Sequence, residues 1–81
     1  MQVRTASMPT AEAQAFERAI RASGRDPATF RAQVFEAVAA ACGPMRRVHV
    51  VTCRAAAQYE ASPGSGWTET FARHLACGFY G

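Results

Sequence analysis

From Thr10 onward an apolar residue recurs every three or four positions, so that Ala13, Phe16, Ala19 and Ile20 share one helical face. Gln14, Arg18 and Arg21 fall opposite, and Glu17 precedes Arg21 by four residues, the favourable order for a helical ion pair. Met8-Pro9-Thr10 supplies an opening, with Thr10 as cap or Pro9 in the first turn, and Gly24 supplies a stop. The pattern predicts an amphipathic helix over 10–23. A second helical pattern follows, with Asp26 as cap and Pro27 at the first position. Phe30, Val34, Val38 and Ala41 form its stripe, which Phe35 and Cys42 widen to an arc of about 160° before Gly43-Pro44 ends it. An arc that broad implies a helix covered on two sides. The short connection Arg25-Asp26 makes the two helices neighbours.

The period changes at Arg46. Arg46-Arg47-Val48-His49-Val50-Val51-Thr52-Cys53 is β-branched and mostly alternating, as a half-buried strand requires. Ala57, Tyr59 and Ala61 then alternate with Gln58 and Glu60, which predicts a hairpin turning near 53–56. A helix through Arg54–Ala61 is the competing reading, because the alanines favour it. Ser62-Pro63-Gly64-Ser65-Gly66 is a loop, too poor in lysine for a phosphate-binding turn. A last helix over about 66–77 carries Trp67, Phe71 and Leu75 at four-residue spacing, and Gly78 closes it. The expected architecture is a small α+β domain in the order α-α-β-β-α, with a short antiparallel hairpin packed on helices. One domain over 9–81 is expected, preceded by a flexible or short-strand segment 1–8.

Composition thins the core this pattern can build. Of 40 apolar residues among 81, 18 are alanine, and only one is leucine and one isoleucine. A chain of this size buries only roughly 60–65% of its unfolded surface, so the core has to rest on its aromatic and β-branched residues. The same arithmetic excludes a multidomain enzyme. No apolar run approaches the roughly 20 residues of a bilayer span, and Met1–Ser7 lacks the apolar stretch of a signal peptide. Cys42, Cys53 and Cys77 are odd in number and irregular in spacing, the pattern of reduced thiols in a cytoplasmic protein. Nine arginines against six acids give a charge of +3, divided evenly enough along the chain that neither half is a basic arm.

Candidate chemistry is sparse. His49-x3-Cys53 and His74-x2-Cys77 could supply metal ligands. Residues four apart on a strand, however, are about 13 Å apart, too far to share one ion. No metal or other cofactor is expected. A cysteine–histidine pair lacks an orienting carboxylate at a recognisable position, and the chain is short for enclosing a substrate, so no enzyme is expected.

Arg18, Arg21 and Arg25 lie along the exposed side of the first helix, with Gln14 beside them. Gln2–Ser7, Pro9, Thr10–Ser23, Gly24-Arg25 and Asp26–Ala41 follow one another as strand, proline, helix, turn and capped helix. In that order the first half of the chain resembles a ribbon-helix-helix DNA-binding regulator. The resemblance implies a DNA contact through Arg4, Arg18, Arg21 and Arg25, using residues 2–42, with the strand shared between two subunits. The leading expectation is different: a protein that acts by contact with other protein, as a homodimer. The second predicted helix needs more covering surface than its neighbours offer, and a lone hairpin is marginal in water with an edge open for pairing. Phe35, Val51, Phe79 and Tyr80 are the expected interface residues. The expected partner is a second copy of the chain, with DNA only under the regulator reading and no membrane.

Overall fold

A computed structural model describes residues 2–39, 43–62 and 65–81. The chain runs β1 (Gln2–Ala6), α1 (Thr10–Ala22), a 3-10 turn (Pro27–Thr29), β2 (Arg31–Ala39), β3 (Gly43–Val51), β4 (Ala56–Glu60) and α2 (Trp67–Ala76). The four strands form one sheet in the order β1-β2-β3-β4, every neighbouring pair antiparallel. The fold is therefore a small α+β domain, but the order α-α-β-β-α with an isolated hairpin is overturned. The expected helix positions Ala41 and Cys42 and the loop positions Pro63 and Gly64 lie outside the described residues.

The correction centres on residues 26–39. Asp26 does cap, its carboxylate accepting from the Ala28 amide at 2.9 Å, but it opens only the single turn Pro27–Thr29. Arg31–Ala39 is then a nine-residue strand with a partner on each side, β1 and β3. Positions 30, 34 and 38 are separated by four, a spacing that keeps one face on a strand as well as on a helix. Phe35, which widened the helical arc, belongs to the other side of the strand. Val34 points to the helices and is buried, whereas Phe35 points away from them. The two-sided apolar arc was two sheet faces. Hydrogen bonding along both edges overrides the modest helical preference of Ala32, Ala37 and Ala39.

β1 pairs within its own chain, Arg4 opposite Glu36 and Ala6 opposite Val34. Among the described residues α1 is followed by a single 3-10 turn and β2, where the ribbon-helix-helix arrangement needs a second helix. β3 and β4 pair over Arg47–Glu60, as half of the larger sheet. At its turn, Thr52 Oγ1 accepts from the amides of Arg54 and Ala55 at 3.2 and 3.1 Å, and the Thr52 amide donates to Ala55 at 2.8 Å. This hydroxyl-capped turn does the work that Asn-Gly does elsewhere.

Both helices pack on one side of the sheet. Ile20 from α1 and Trp67, Phe71 and Leu75 from α2 meet Val34, Val48, Val50 and Tyr59 from the strands. Phe71 is fully buried at the hub, with Phe16, Phe30, Tyr59 and Tyr80 around it at ring separations of 4.8–5.9 Å. Edge-to-face geometry dominates, which suits the ring quadrupoles. The alanine-poor core predicted from composition is thus concentrated in one aromatic cluster.

Candidate interaction surface

The strand register sorts the sheet into two faces. Ala6, Val34, Val48 and Tyr59 stand side by side under the helices; Thr5, Phe35, Arg47 and Glu60 form the next row, on the opposite face. Gln33, His49 and Gln58 make a row beside it, followed by Arg31, Val51 and Ala56; Val3, Ala37 and Met45 lie on the other flank. No described element covers this outer face. Val3 is 59% exposed and Val51 43% exposed, two of the three large apolar residues left most open to water. Phe35, Ala37, Met45 and His49 are half-buried. They line a shallow depression of about 360 Å³ together with Val3.

Within it, the rings of Phe35 and His49 meet edge-on at 4.9 Å. Arg47 extends along the face and donates to Gln58 Oε1 at 3.4 Å. The charged groups of the face are Arg31, Arg47 and Glu60, so an apolar centre is rimmed by both signs of charge.

The helix side carries two polar nodes that serve the fold. Glu12 on α1 accepts from Arg46 Nη1 at 3.0 Å and from the Trp67 indole at 2.6 Å, and Arg46 also donates to Ala61 O at 3.0 Å. This joins α1, β3 and the start of α2. In the second node the Tyr59 hydroxyl lies 2.7 Å from both His74 Nδ1 and the Tyr80 hydroxyl. A chain in which Tyr80 donates to Tyr59 and Tyr59 donates to Nδ1 satisfies both contacts. Burial pushes both phenols above their ordinary value of 10.0. For Tyr59, donation from Tyr80 opposes that rise; for Tyr80, the hydrogen bond it gives adds to it.

The expected interface residues divide. Phe35 and Val51 lie on the outer face. Phe79 is 46% exposed but sits behind α2, stacked on His74 at 5.3 Å. Tyr80 is only 5% exposed and belongs to the core, where Phe30 and Phe71 hold its ring. Val3 and Met45 were missed. The alternation of Gln2-Val3-Arg4-Thr5 contained the signal for Val3, but its face is defined only by pairing with Ala37.

The four arginines of the regulator reading are mostly engaged inside the chain. Arg4 pairs with Glu36 at 3.2 Å, Arg21 with Glu17 at 2.6 Å, and Arg25 donates to Gly81 O at 2.6 Å. Arg18 is exposed on α1. His49 and His74 lie on opposite sides of the sheet, and Cys53 and Cys77 are free and exposed. Among the described residues no group of three or more metal-ligating side chains occurs, and no helix is long and apolar enough to cross a membrane. No protein family, curated protein or solved structure matches the chain.

Proposed function

We propose that this chain acts by protein contact rather than catalysis, and that its outer sheet face joins a second copy of itself. The observation that carries the reading is the one-sidedness of the sheet. Two helices and an aromatic cluster cover one face, while Val3, Phe35, Ala37, Met45 and Val51 are presented on the other. A contiguous apolar face of this kind marks an interaction site.

Its size suits a modest dimer. Two strands of nine residues and two of five, at a rise of about 3.3 Å and a spacing of about 4.8 Å, give a flat footprint of about 440 Å². Two such faces remove about 900 Å² of flat area, and more once the relief of the side chains is included, against a lower bound of about 1,000 Å² for a specific interface. Each face also carries its own cation and anion, Arg47 beside Glu60, so two copies related by a two-fold axis offer each other opposite charges.

The hydroxyls of Tyr59 and Tyr80 are held protonated by burial, which suits a structural role and not a nucleophilic one. Free, exposed Cys53 and Cys77 suit the reducing cytoplasm. The test is light scattering coupled to size exclusion for the native protein, Phe35→Arg and Val3→Asp. A native dimer that both variants convert to folded monomer supports the reading. A native monomer overturns it, as does tight binding of single-stranded nucleic acid by the same face.

A further inference from the structure

We infer that His49 makes this copy-to-copy contact pH-sensitive, holding it closed in neutral solution and opening it in mild acid. The inference rests on the two-copy reading. His49 occupies the middle of the outer face, on central strand β3, with Gln33 of β2 and Gln58 of β4 directly opposite in register. The Phe35 ring flanks it at 4.9 Å. The charged groups that share the face are Arg47 two positions along β3, Arg31 two positions from Gln33 on β2, and Glu60 two positions from Gln58 on β4; Glu36 also lines the depression, with its carboxylate paired to Arg4. Both helices, and with them His74, lie across the sheet.

The ring is half-buried before any partner arrives. A second copy seated on the face removes its remaining water. A neutral imidazole tolerates that environment, because the facing Gln33 and Gln58 carry side-chain amides that offer both a donor and an acceptor to its one acceptor and one donor nitrogen. An imidazolium does not. It meets two arginines, one carboxylate that holds no arginine among the described residues and a second, Glu36, already paired with Arg4, beside an aromatic edge and no solvent, and an under-compensated buried charge is costly.

The sign follows from linkage. Association favours the neutral ring, so the separated copies hold more protons than the dimer in the range where histidine titrates. Dimer stability is then fully present above that range and falls as pH falls through it. Each copy brings one such ring, so the dissociation constant rises by up to about a hundredfold per pH unit, two protons being taken up as the dimer opens.

Sedimentation equilibrium of the full chain at about pH 8 and about pH 5.5 reads this directly, spanning the range in which histidine changes charge. The native dimer is expected to weaken by at least about tenfold at the lower pH, with far-ultraviolet circular dichroism unchanged. His49→Gln, and His49→Phe as a second replacement that keeps an aromatic ring, are expected to dimerise equally at both pH values. His74→Gln is expected to keep the response. An equally tight native dimer at both pH values overturns the role of His49 and leaves the two-copy reading standing. So does acid dissociation that persists in both His49 variants. A monomer at both pH values overturns the two-copy reading itself.

Discussion

Replacing Glu12 with alanine removes the joint between α1, β3 and α2. Its Oε1 receives both Arg46 Nη1 and the Trp67 indole N–H, and Oε2 is also 3.0 Å from Arg46 Nη1. The side chains of Arg46 and Glu12 are only 18% and 29% exposed. Without Glu12, Arg46 retains one acceptor, Ala61 O, and its Nη2 is already buried with no partner among the described residues. Breaking a buried pair costs about 3–5 kcal/mol, and the partial exposure here lowers that figure. The stranded guanidinium and the orphaned indole together bring the expected loss to about 2–4 kcal/mol. For a domain of this size that is a fall in Tm of roughly 10–25 °C. Glu12→Gln keeps an acceptor for Trp67 and loses only the charge, so it is expected to cost about half as much. Urea unfolding followed by Trp67 fluorescence gives the values, at one protein concentration because association adds to apparent stability. In a double-mutant cycle with Arg46→Met, coupling of about 1–3 kcal/mol is expected. A Glu12→Ala loss below about 0.5 kcal/mol, the level of an inconsequential surface change, or a strictly additive cycle, refutes the reasoning.

Phe71→Ala empties the hub of the aromatic cluster and is expected to cost about 3–5 kcal/mol by urea unfolding; a loss under about 1 kcal/mol, an ordinary single-site value, contradicts the packing. The Tyr59–Tyr80 pair fixes an alkaline limit. Both phenols are raised in the folded chain, so their contribution is complete below the ordinary value of 10.0 and declines as pH rises above it, because the unfolded chain then sheds protons that the folded chain retains. Thermal unfolding is expected to drop above that pH and to drop less in Tyr80→Phe; equal slopes refute the assignment. Gly78 closes α2 at φ +81, with open space where a side chain would stand, so Gly78→Ala is expected to cost about 1 kcal/mol from backbone strain alone.

The first helix was legible because Ala13, Phe16, Ala19 and Ile20 keep steps that only a helix satisfies, the last because a strand would put Glu69 and Arg73 on the face of Trp67, Phe71 and Leu75, and both because glycines stop them. Gly24 and Gly78 both adopt positive φ where the pattern ends. Trp67, Phe71 and Leu75 are buried as their spacing requires. β2 was not legible for a reason internal to its spacing. Steps of four residues suit a strand and a helix alike, a capping aspartate sits just upstream, and alanines fill the gaps. What decides the matter is remote: β1, nearly thirty residues earlier, and β3, which follows in the chain, bond both edges of the segment.

The candidate surface inherited that ambiguity. Phe35 and Val51 could be marked as apolar residues in excess of a small core, but their common face exists only once β2 pairs with β3. Val3 and Met45 needed the register as well. Tyr80 misled in the opposite direction. Its place after a glycine stop suggested an open terminus, whereas contacts with Phe30, Phe71 and Tyr59 draw it inside. Chain order carries no trace of those contacts.

The central claim is that the uncovered sheet face is completed by a second copy. The most direct measurement is the mass of the native protein at micromolar concentration and neutral pH, beside that of Phe35→Arg. Light scattering is predicted to give twice 8.7 kDa for the native chain and a folded 8.7 kDa species for the variant. A native mass of 8.7 kDa, or a dimer that Phe35→Arg leaves intact, contradicts it.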